Sequence, residues 1–424
     1  MNTEKKFYEM SLDERLSLIA SKSNLTKNEI STVVNQPLPF DKIDRMIENA
    51  VGSFSLPLGI ATNFVINGKE YLVPMAIEEP SVIAAASHAA KLAKSSGGFK
   101  ASAESSIMRG QIQVTNLLDI KKAIQVISKN KESLLRTVNS ISNNVKALDL
   151  KTRIVENEID GTKMLAAELY VDCKDSMGAN TINSMCELLG PEIEQETSGK
   201  VILKILSNYA TERIATSKAT FKKEELGGTD IVDRILSAFA FAFSDTYRAV
   251  THNKGIMNGI DAVSIATGQD FRAIEAAAHA YASRDGKYRS LTTFSKSSNG
   301  DLVGRIEIPL SVGIVGGISI VHPVARMGLK ILGVKSASEL ACVIASAGLA
   351  QNLAAIRALS TEGIQKGHMK LHAKNIAVAA GATGKLVDIV SETMYKQSKI
   401  SLDSARRILQ DLRHSMDSPS QIIL

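Results

Sequence analysis

One stretch near the end of the chain constrains the fold more than any other. Residues 338–365 are apolar on nearly every side of the helix that their pattern predicts. A helix without a polar face has to run through the middle of a domain. Gln351 and Asn352 interrupt this apolar surface, and buried amides need hydrogen-bond partners, of which a bound ligand is one. We therefore expect a large, mainly helical domain built around this segment.

The composition is that of a globular protein with more than one domain. The chain has 424 residues, 44% of them hydrophobic and 22% charged, and this length predicts about two or three domains. The net charge of +6 suits an anionic substrate, whereas the lack of a dense Lys/Arg stripe with interleaved aromatics argues against nucleic acid. Apolar runs fall short of the roughly 18 residues of a membrane span, and the N-terminus lacks a signal-peptide core. Three scattered cysteines without a CxxC argue against disulfides and a zinc site. We expect a cytoplasmic protein without a metal.

The pattern from 110 to 215 alternates between strand and helix. Strands are predicted at 111–114, 151–158, 164–171 and 201–206, and helices at 119–142 and 180–194. Two β-α-β halves of this kind form a ferredoxin-like domain. No strand precedes a G-x-G-x-x-G, so a Rossmann site is not indicated. The sequence predicts an α+β fold with these domains: a large, mainly helical domain from 1–109 and 216–367, an inserted ferredoxin-like domain at 110–215, and a helical C-terminal flap at 368–424.

Segment 247–270 gathers charged groups among small and apolar residues. It contains Arg248, Lys254 and Asp270, with a short strand predicted at 261–267 and an Ala-rich helix starting near Asp270. A cation in apolar surroundings must be paired or hydrogen-bonded, which favours a functional Lys254. The alternatives are a loop whose cations face solvent, and an Asp270 that only caps its helix.

Other polar groups lie where predicted elements meet. Asn67-Gly68 predicts a hairpin that leads to Glu79 at the start of an Ala-rich helix, where a carboxyl group either complements the helix dipole or donates protons. Segment 175–180, Asp-Ser-Met-Gly-Ala-Asn, opens a helix and suits an ordinary cap or a phosphate site. Strands are predicted at 302–309 and 310–315. Gly367 is expected to end the long helix and to place His368 just beyond it, where a surface role is the alternative.

In this order, the segments resemble the motifs of 3-hydroxy-3-methylglutaryl-coenzyme A (HMG-CoA) reductases, specifically the soluble microbial class. The resemblance covers roughly residues 48–375 and rests on Glu-Asn-x-x-Gly at 48–52, Glu-Pro-Ser at 79–81, 175–180, 247–270 and 348–369. It implies the four-electron reduction of HMG-CoA to mevalonate and free coenzyme A, a reversible reaction of isoprenoid metabolism, with NADPH or NADH as cofactor and no metal. It also implies a homodimer with active sites at the subunit interface, and leaves assembly beyond the dimer open.

The resemblance makes the large domain the substrate-binding domain and the inserted domain the dinucleotide-binding domain, and it assigns residues to roles. The catalytic residues would be Glu79, Lys254, Asp270 and His368; the substrate site Arg248, Ser81, Asn258, Gln351 and Asn352; and the cofactor site Asp175, Met177, Gly178, Ala179, Asn180 and Asn208. Lys254 would stabilise an oxyanion while Asp270 keeps it charged. Glu79 would donate a proton to the aldehyde oxygen, and His368 a proton to the leaving thiolate. Arg248 would bind the free carboxylate of the substrate.

Several alternatives stay open. Family members often carry a Gly-rich turn followed by Ala-Arg-Asp where this chain has Ser-Asn-Asn-Val-Lys-Ala-Leu-Asp at 142–149, so the choice between NADH and NADPH is open. Lys146 or Lys151 could meet a 2′-phosphate or simply be solvated. The same reaction could consume mevalonate with NAD. A Schiff-base lyase or aldolase acting through Lys254 and a non-catalytic helical scaffold are the other candidates.

Overall fold

The computed structural model describes residues 5–34, 38–361 and 363–417. Its helices are α1 (Leu12–Ser23), α2 (Lys27–Val34), α3 (Phe40–Ile43), α4 (Val82–Lys94), α5 (Ile120–Asn139), α6 (Ala179–Thr197), α7 (Lys223–Leu226), α8 (Thr229–Ser244), α9 (Thr246–Ala266), α10 (Phe271–Ala282), α11 (Ile318–Val321), α12 (Pro323–Leu332), α13 (Ala337–Ser360), α14 (Ile364–Ala379), α15 (Lys385–Lys396) and α16 (Leu402–Asp417). Its strands are β1 (Leu58–Ile66), β2 (Lys69–Ala76), β3 (Lys100–Ser102), β4 (Ile107–Thr115), β5 (Lys146–Glu156), β6 (Lys163–Asp172), β7 (Lys200–Ser207), β8 (Ile214–Phe221), β9 (Thr292–Lys296) and β10 (Leu302–Pro309).

Helix α13 lies at the centre of the largest hydrophobic core, as its apolar surface predicts. It packs against α9, α4 and the sheet of β3, β8, β10 and β9. It is also long and apolar enough to cross a membrane, but 83% of that apolar window is buried inside the protein. The apolar surface is therefore explained by packing within the core.

Glycines let α9 and α13 approach each other closely. A Cβ added to Gly259 would lie 2.8 Å from the carbonyl oxygen of Ala347, and one added to Gly348 would lie 2.8 Å from Cγ1 of Ile260. Both distances are shorter than any ordinary contact of a Cβ atom. This contact fixes the position of α9 along its axis and its rotation against α13. Because α9 carries Arg248, Lys254 and Asn258, the contact also fixes where those side chains lie.

The inserted domain is ferredoxin-like, which confirms the predicted fold class. Its elements follow the order β4-α5-β5-β6-α6-β7, and its sheet has the strand order β5-β6-β4-β7 with every neighbouring pair antiparallel. This domain has a hydrophobic core of its own, as do helices α14, α15 and α16 near the C-terminus. The residue boundaries of the domains stay predictions.

Two predicted strands are not strands. Residues 261–267 belong to α9 and its C-terminal end, because α9 is buried on several sides and its apolar run therefore shows no helical periodicity. Residues 310–315 follow β10 without joining a sheet. Their backbone groups bond elsewhere, with the N–H of Leu310 donating to Arg213 and that of Ile314 donating to Asp175. The strand predicted at 302–309 is confirmed as β10.

The long apolar helix ends earlier than the sequence predicts. Helix α13 stops at Ser360, and α14 begins at Ile364 after Gly363, whose φ of +80° suits glycine. Gly367 therefore does not end a helix, and His368 lies inside α14 rather than beyond a helix end. The side chain of His368 is outside the described residues.

Candidate active site

Three side chains meet where α9 passes the segment between β2 and α4. Lys254 and Asn258 are four residues apart on α9 and so share one face of the helix. The Nζ of Lys254 donates to Oε2 of Glu79 over 2.7 Å, and Nδ2 of Asn258 donates to the same oxygen over 3.1 Å. A carboxylate, an ammonium and an amide are thus held together by direct hydrogen bonds.

This cluster is more open than the sequence suggests. The side chain of Lys254 is 60% exposed and that of Glu79 is 31% exposed. Lys254 is paired, as expected, but its ammonium is not embedded in apolar surroundings. An exposed ion pair contributes about 0–1 kcal/mol to stability. Stability therefore gives little reason for the cluster, which leaves chemistry as the better explanation.

Ser81 adds backbone strain beside Glu79. It is the residue before α4, with φ of +74°, and its side chain makes no capping hydrogen bond. A non-glycine residue in the left-handed region is uncommon, and such strain concentrates at binding and catalytic sites. The strained turn leaves the Ser81 hydroxyl without a role in the helix cap and close in sequence to Glu79.

Arg248 lies six residues before Lys254 on the same helix. Its side chain is half-buried, and burial lowers the pKa of its guanidinium, which still stays charged near neutral pH. No carboxylate of residues 5–34, 38–361 or 363–417 forms an ion pair with it. A half-buried guanidinium of this kind has its planar pair of donors available for a ligand carboxylate.

The structure does not bond Asp270 to Lys254. The Asp270 carboxylate caps α10 by accepting from the N–H of Ala273 over 3.1 Å, and it lies 3.4 Å from the guanidinium of Arg272. The ammonium of Lys254 is bonded to Glu79 instead. The helix-cap alternative is therefore correct for the observed contacts, and an effect of Asp270 on Lys254 would have to act through space.

The two buried amides of α13 differ in their partners. Oδ1 of Asn352 accepts from the hydroxyl of Thr292 over 2.7 Å, and that hydroxyl also lies 2.9 Å from Nε2 of His252. Burial lowers the pKa of His252 to about 3, so the ring is neutral and serves packing. Oδ1 of Asn352 thus has a partner within the protein, and substrate binding by Asn352 stays a prediction. Oε1 of Gln351 is buried and has no hydrogen-bond partner among the described residues, which leaves it available.

The residues predicted to bind the cofactor come together at one end of the inserted sheet. Segment 175–180 follows β6, and Asn208 follows β7. Strand β4 pairs with the ends of both, since Ile107 lies opposite Asp172 and Arg109 opposite Ser207. The Oδ1 of Asp175 also accepts from the N–H of Ala337, which ties this edge to the start of α13.

The turn before α6 has the shape of a phosphate cradle. Gly178 precedes α6 with φ of +92°, and a Cβ there would lie 2.2 Å from Sγ of Cys173. The turn thus requires glycine, and it carries Met177 on one side and Ala179, the first residue of α6, on the other. No side chain caps α6, so its first N–H groups and its dipole favour an anion.

The lysines that could select a 2′-phosphate are in part engaged. Lys151 lies 3.8 Å from Asp149 and 4.7 Å from the centre of the Tyr170 ring. Lys131 also bonds Asp149, and that hydrogen bond lowers the pKa of the carboxyl group. The structure therefore does not favour Lys151 as a free phosphate ligand, and the preference between NADH and NADPH stays open.

Sequence reasoning missed a pair of acidic residues, Asp261 and Glu275, on α9 and α10. Burial, together with Glu275, raises the pKa of Asp261 to about 9. The hydrogen bond from His279, 2.6 Å away, instead lowers the pKa of Glu275. Asp261 lies one turn beyond Asn258 on α9. The sequence does contain a signal for this pair: Asp261 lies inside an apolar run, and a buried carboxyl group must be paired or protonated.

We expect the Asp261→Asn variant to be less sensitive to pH. Folded Asp261 keeps its proton up to about pH 9, whereas an unfolded aspartate ionises near pH 4. Folding thus takes up a proton between these values, so this group's contribution to stability falls as the pH rises, by at most about 1.4 kcal/mol per pH unit. Urea unfolding from about pH 5 to 8 should show a shallower decline than in wild type. A decline equal to that of wild type and of the exposed control Asp285→Asn would contradict this.

Known proteins of one family are similar to this chain over most of its length. The model of the hydroxymethylglutaryl-coenzyme A reductase family matches residues 11–373. The chain is 52% identical to the HMG-CoA reductase of Archaeoglobus fulgidus over 96% of this chain and 94% of that protein. It is 37% identical to a probable HMG-CoA reductase of Borreliella burgdorferi over 88% of both.

Solved structures match over nearly the whole chain. The HMG-CoA reductase of Streptococcus pneumoniae superimposes with a TM-score of 0.81 at 38% identity, covering 96% of this chain and 99% of that one. A class II enzyme from the same organism, described as bound to NADPH in open conformations, gives a TM-score of 0.79 at 39% identity, over 95% and 100% of the two chains. The protein is thus an oxidoreductase. It belongs to the hydroxymethylglutaryl-coenzyme A reductase family, and the resemblance to that family is confirmed.

Proposed function

We propose that this chain reduces HMG-CoA to mevalonate and free coenzyme A in the mevalonate pathway, using the Glu79–Lys254–Asn258 cluster as its catalytic centre. The observation that carries the proposal is the shared hydrogen bonding of Lys254 and Asn258 to Oε2 of Glu79, in a member of this family. The cluster joins an oxyanion stabiliser to a proton donor, which are the two groups that reduction of a carbonyl requires.

The residues divide the reaction between them. Residues 175–180 and Asn208 would hold the nicotinamide cofactor, which would supply one hydride per molecule, so that two reduced molecules are needed in turn, one for the thioester carbon and one for the aldehyde carbon. Lys254 stabilises the negative charge that develops on the carbonyl oxygen. His368 donates a proton to the sulfur of the departing coenzyme A. Glu79 protonates the alkoxide of the second reduction with a proton that it takes up from the ammonium of Lys254, whose Nζ lies 2.7 Å from its Oε2.

The substrate and cofactor occupy different elements. Arg248 binds the free carboxylate of the acyl group, and Ser81, Asn258 and Gln351 complete the polar lining. The turn at 175–180 binds the phosphates of NADPH or NADH, with Asn208 near the nicotinamide. The fit rests on the uncapped start of α6 and on Gly178, since a larger residue would close the turn. Asp270 contributes through its charge rather than through a bond to Lys254.

The assembly we propose is a cytoplasmic homodimer with its active sites between subunits. Strongly exposed apolar side chains support an interface, since isolated chains rarely leave such groups in water. Val51, inside the Glu-Asn-x-x-Gly segment, is 98% exposed, Phe54 just after that segment is 92% exposed, and Tyr247 beside Arg248 is 89% exposed. These side chains lie on the segments that carry or adjoin the proposed substrate site.

The test is to follow the absorbance of NADPH and of NADH when HMG-CoA is added. We expect two cofactor molecules to be oxidised for each HMG-CoA, and the ratio of the two rates gives the cofactor preference. A chain that binds neither cofactor would be a scaffold. A Schiff-base enzyme would instead be trapped by borohydride only with substrate, but a 60% exposed Lys254 bonded to a carboxylate lacks the desolvated pocket of such lysines.

Shared active sites predict complementation between inactive subunits. Glu79→Gln disables the acid–base cluster, and Asp175→Ala disables the cofactor turn. A mixture of the two should form heterodimers with one intact site, so we expect partial recovery, up to about one quarter of wild-type activity for random pairing. The measurement is HMG-CoA-dependent NADPH oxidation after joint refolding, with each variant alone as control. Proven heterodimers without activity would show that each site is built within one chain.

A further inference from the structure

Arg213 is a buried cation at the junction between the inserted domain and β8. Only 4% of the residue is exposed. Its guanidinium donates to three backbone carbonyl oxygens, those of Ser176 at 3.1 Å, Met177 at 3.4 Å and Val312 at 2.6 Å. No carboxylate within the described ranges lies within ion-pair distance of it. Asp172 and Asp175 act on its charge only from farther away.

A buried guanidinium without a carboxylate partner is costly, because backbone dipoles replace only part of the lost hydration. Burial accordingly lowers the pKa of Arg213, although an arginine stays charged. A neutral side chain of similar length would fill the same space at a lower cost. The presence of a charged residue at this buried position therefore needs a reason other than packing.

The position of this charge supplies the explanation. Ser176 and Met177 form the turn that precedes α6, so the guanidinium lies directly behind that turn. The start of α6 carries the positive end of the helix dipole at the same place. A buried positive charge and a helix N-terminus thus act together on any anion in front of the turn. Salt weakens this attraction, because ions reach an anion in front of the turn even though the guanidinium itself is removed from solvent.

The turn is also held by the segment after β10. A Cβ added to Gly313 would lie 2.7 Å from the backbone nitrogen of Met177. The N–H of Gly313 donates to Oε1 of the buried Gln269 over 2.9 Å, and Val312 supplies the third acceptor of Arg213. The turn is therefore held between the guanidinium of Arg213 and the backbone at Gly313. Gln269, through its hydrogen bond to Gly313, holds that backbone in place.

We propose that Arg213 positions the cofactor turn and supplies the buried positive charge that favours the phosphates of the dinucleotide. It does not touch the cofactor, so it is a positioning residue. The proposal rests on the proposed use of segment 175–180 as the cofactor site. It goes beyond that assignment, because it makes dinucleotide affinity depend on a residue outside the segment and outside the inserted sheet.

The experiment measures NADPH binding to full-length Arg213→Gln and Arg213→Lys by NADPH fluorescence, at several salt concentrations. The chain has no tryptophan, so the nucleotide signal is free of energy transfer from indole. We expect Arg213→Gln to raise the Kd at low salt about tenfold or more and to weaken its salt dependence. Arg213→Lys should keep the salt dependence, because it keeps the charge, but recover only part of the affinity, since an ammonium cannot reproduce the three-carbonyl fork. Arg136→Gln, the same change at an exposed site of the inserted domain, is the control and should resemble wild type.

Two outcomes would overturn the proposal. One is an Arg213→Gln protein that binds NADPH with the wild-type Kd and salt dependence. The other is a loss of affinity with unchanged salt dependence that Arg213→Lys does not relieve, which would indicate a structural role alone. If Arg213→Gln does not fold, Gly313→Ala tests the contact between Gly313 and the turn, since its methyl group must displace the turn; an unchanged Kd would count against the proposal. A wild-type chain that binds neither NADPH nor NADH would instead refute the proposed function.

Discussion

Replacing Lys254 with alanine is expected to lower kcat for HMG-CoA reduction by about 10²–10³-fold or more, because a preorganised cation at a developing oxyanion supplies stabilisation of that size. The fold should survive. The Lys254 side chain is 60% exposed and its pair with Glu79 is accessible to water, so its contribution to stability is small. Steady-state NADPH oxidation and thermal unfolding measure the two effects separately.

Lys94 offers a matched control for this variant. Its ammonium lies 2.6 Å from Glu70, almost the distance found between Lys254 and Glu79, and both partners are exposed. Lys94→Ala therefore removes an equivalent ion pair away from the cluster and should leave kcat near the wild-type value. Near-normal turnover in a folded Lys254→Ala protein would remove this residue from the mechanism. Equal losses in both variants would indicate a general effect of net charge.

Much of the fold could be predicted from local pattern. The alternation of strand and helix patterns between 110 and 215 predicts the ferredoxin-like order of elements. Asn67-Gly68 predicts the β1–β2 hairpin, and both residues have positive φ in the structure. Pattern failed where burial is uniform. The sequence predicts a strand within α9 because a helix surrounded by other elements shows no polar face. It predicts a strand at 310–315 because apolar residues give no sign that their backbone groups bond outside a sheet.

The site was predictable as a set of residues but less so as a set of contacts. Lys254 and Asn258 share a helix face by spacing alone, whereas their common partner Glu79 is far away in sequence and needed the resemblance. The predicted effect of Asp270 on the charge of Lys254 stays a prediction, since the structure shows that carboxylate capping α10 and not bonded to Lys254. Arg213 gave no local signal, since its acceptors are backbone carbonyls that only the fold brings together.

The two proposed acids should separate into different half-reactions. If His368 protonates the departing thiolate, its work falls between the two hydride steps. His368→Gln cannot act as an acid, so HMG-CoA reduction should fall by about 10²–10⁴-fold, the usual contribution of general acid catalysis. Reduction of free mevaldehyde involves no thiolate and should be largely spared. Both rates are measured as the oxidation of NADPH, with each substrate supplied separately.

Glu79→Gln is expected to impair the aldehyde half-reaction that His368→Gln spares, and so serves as the comparison for it. Glutamine keeps an oxygen that can accept from Lys254 and Asn258, so the contacts at 2.7 Å and 3.1 Å can persist. The amide cannot donate a catalytic proton, and the alkoxide formed from mevaldehyde then lacks its acid. We expect this variant to lose mevaldehyde reduction by a similar factor of about 10²–10⁴. Equal losses in both half-reactions for His368→Gln would contradict the thiolate-acid role, and would show instead that α14 must close over the site before either hydride can be transferred.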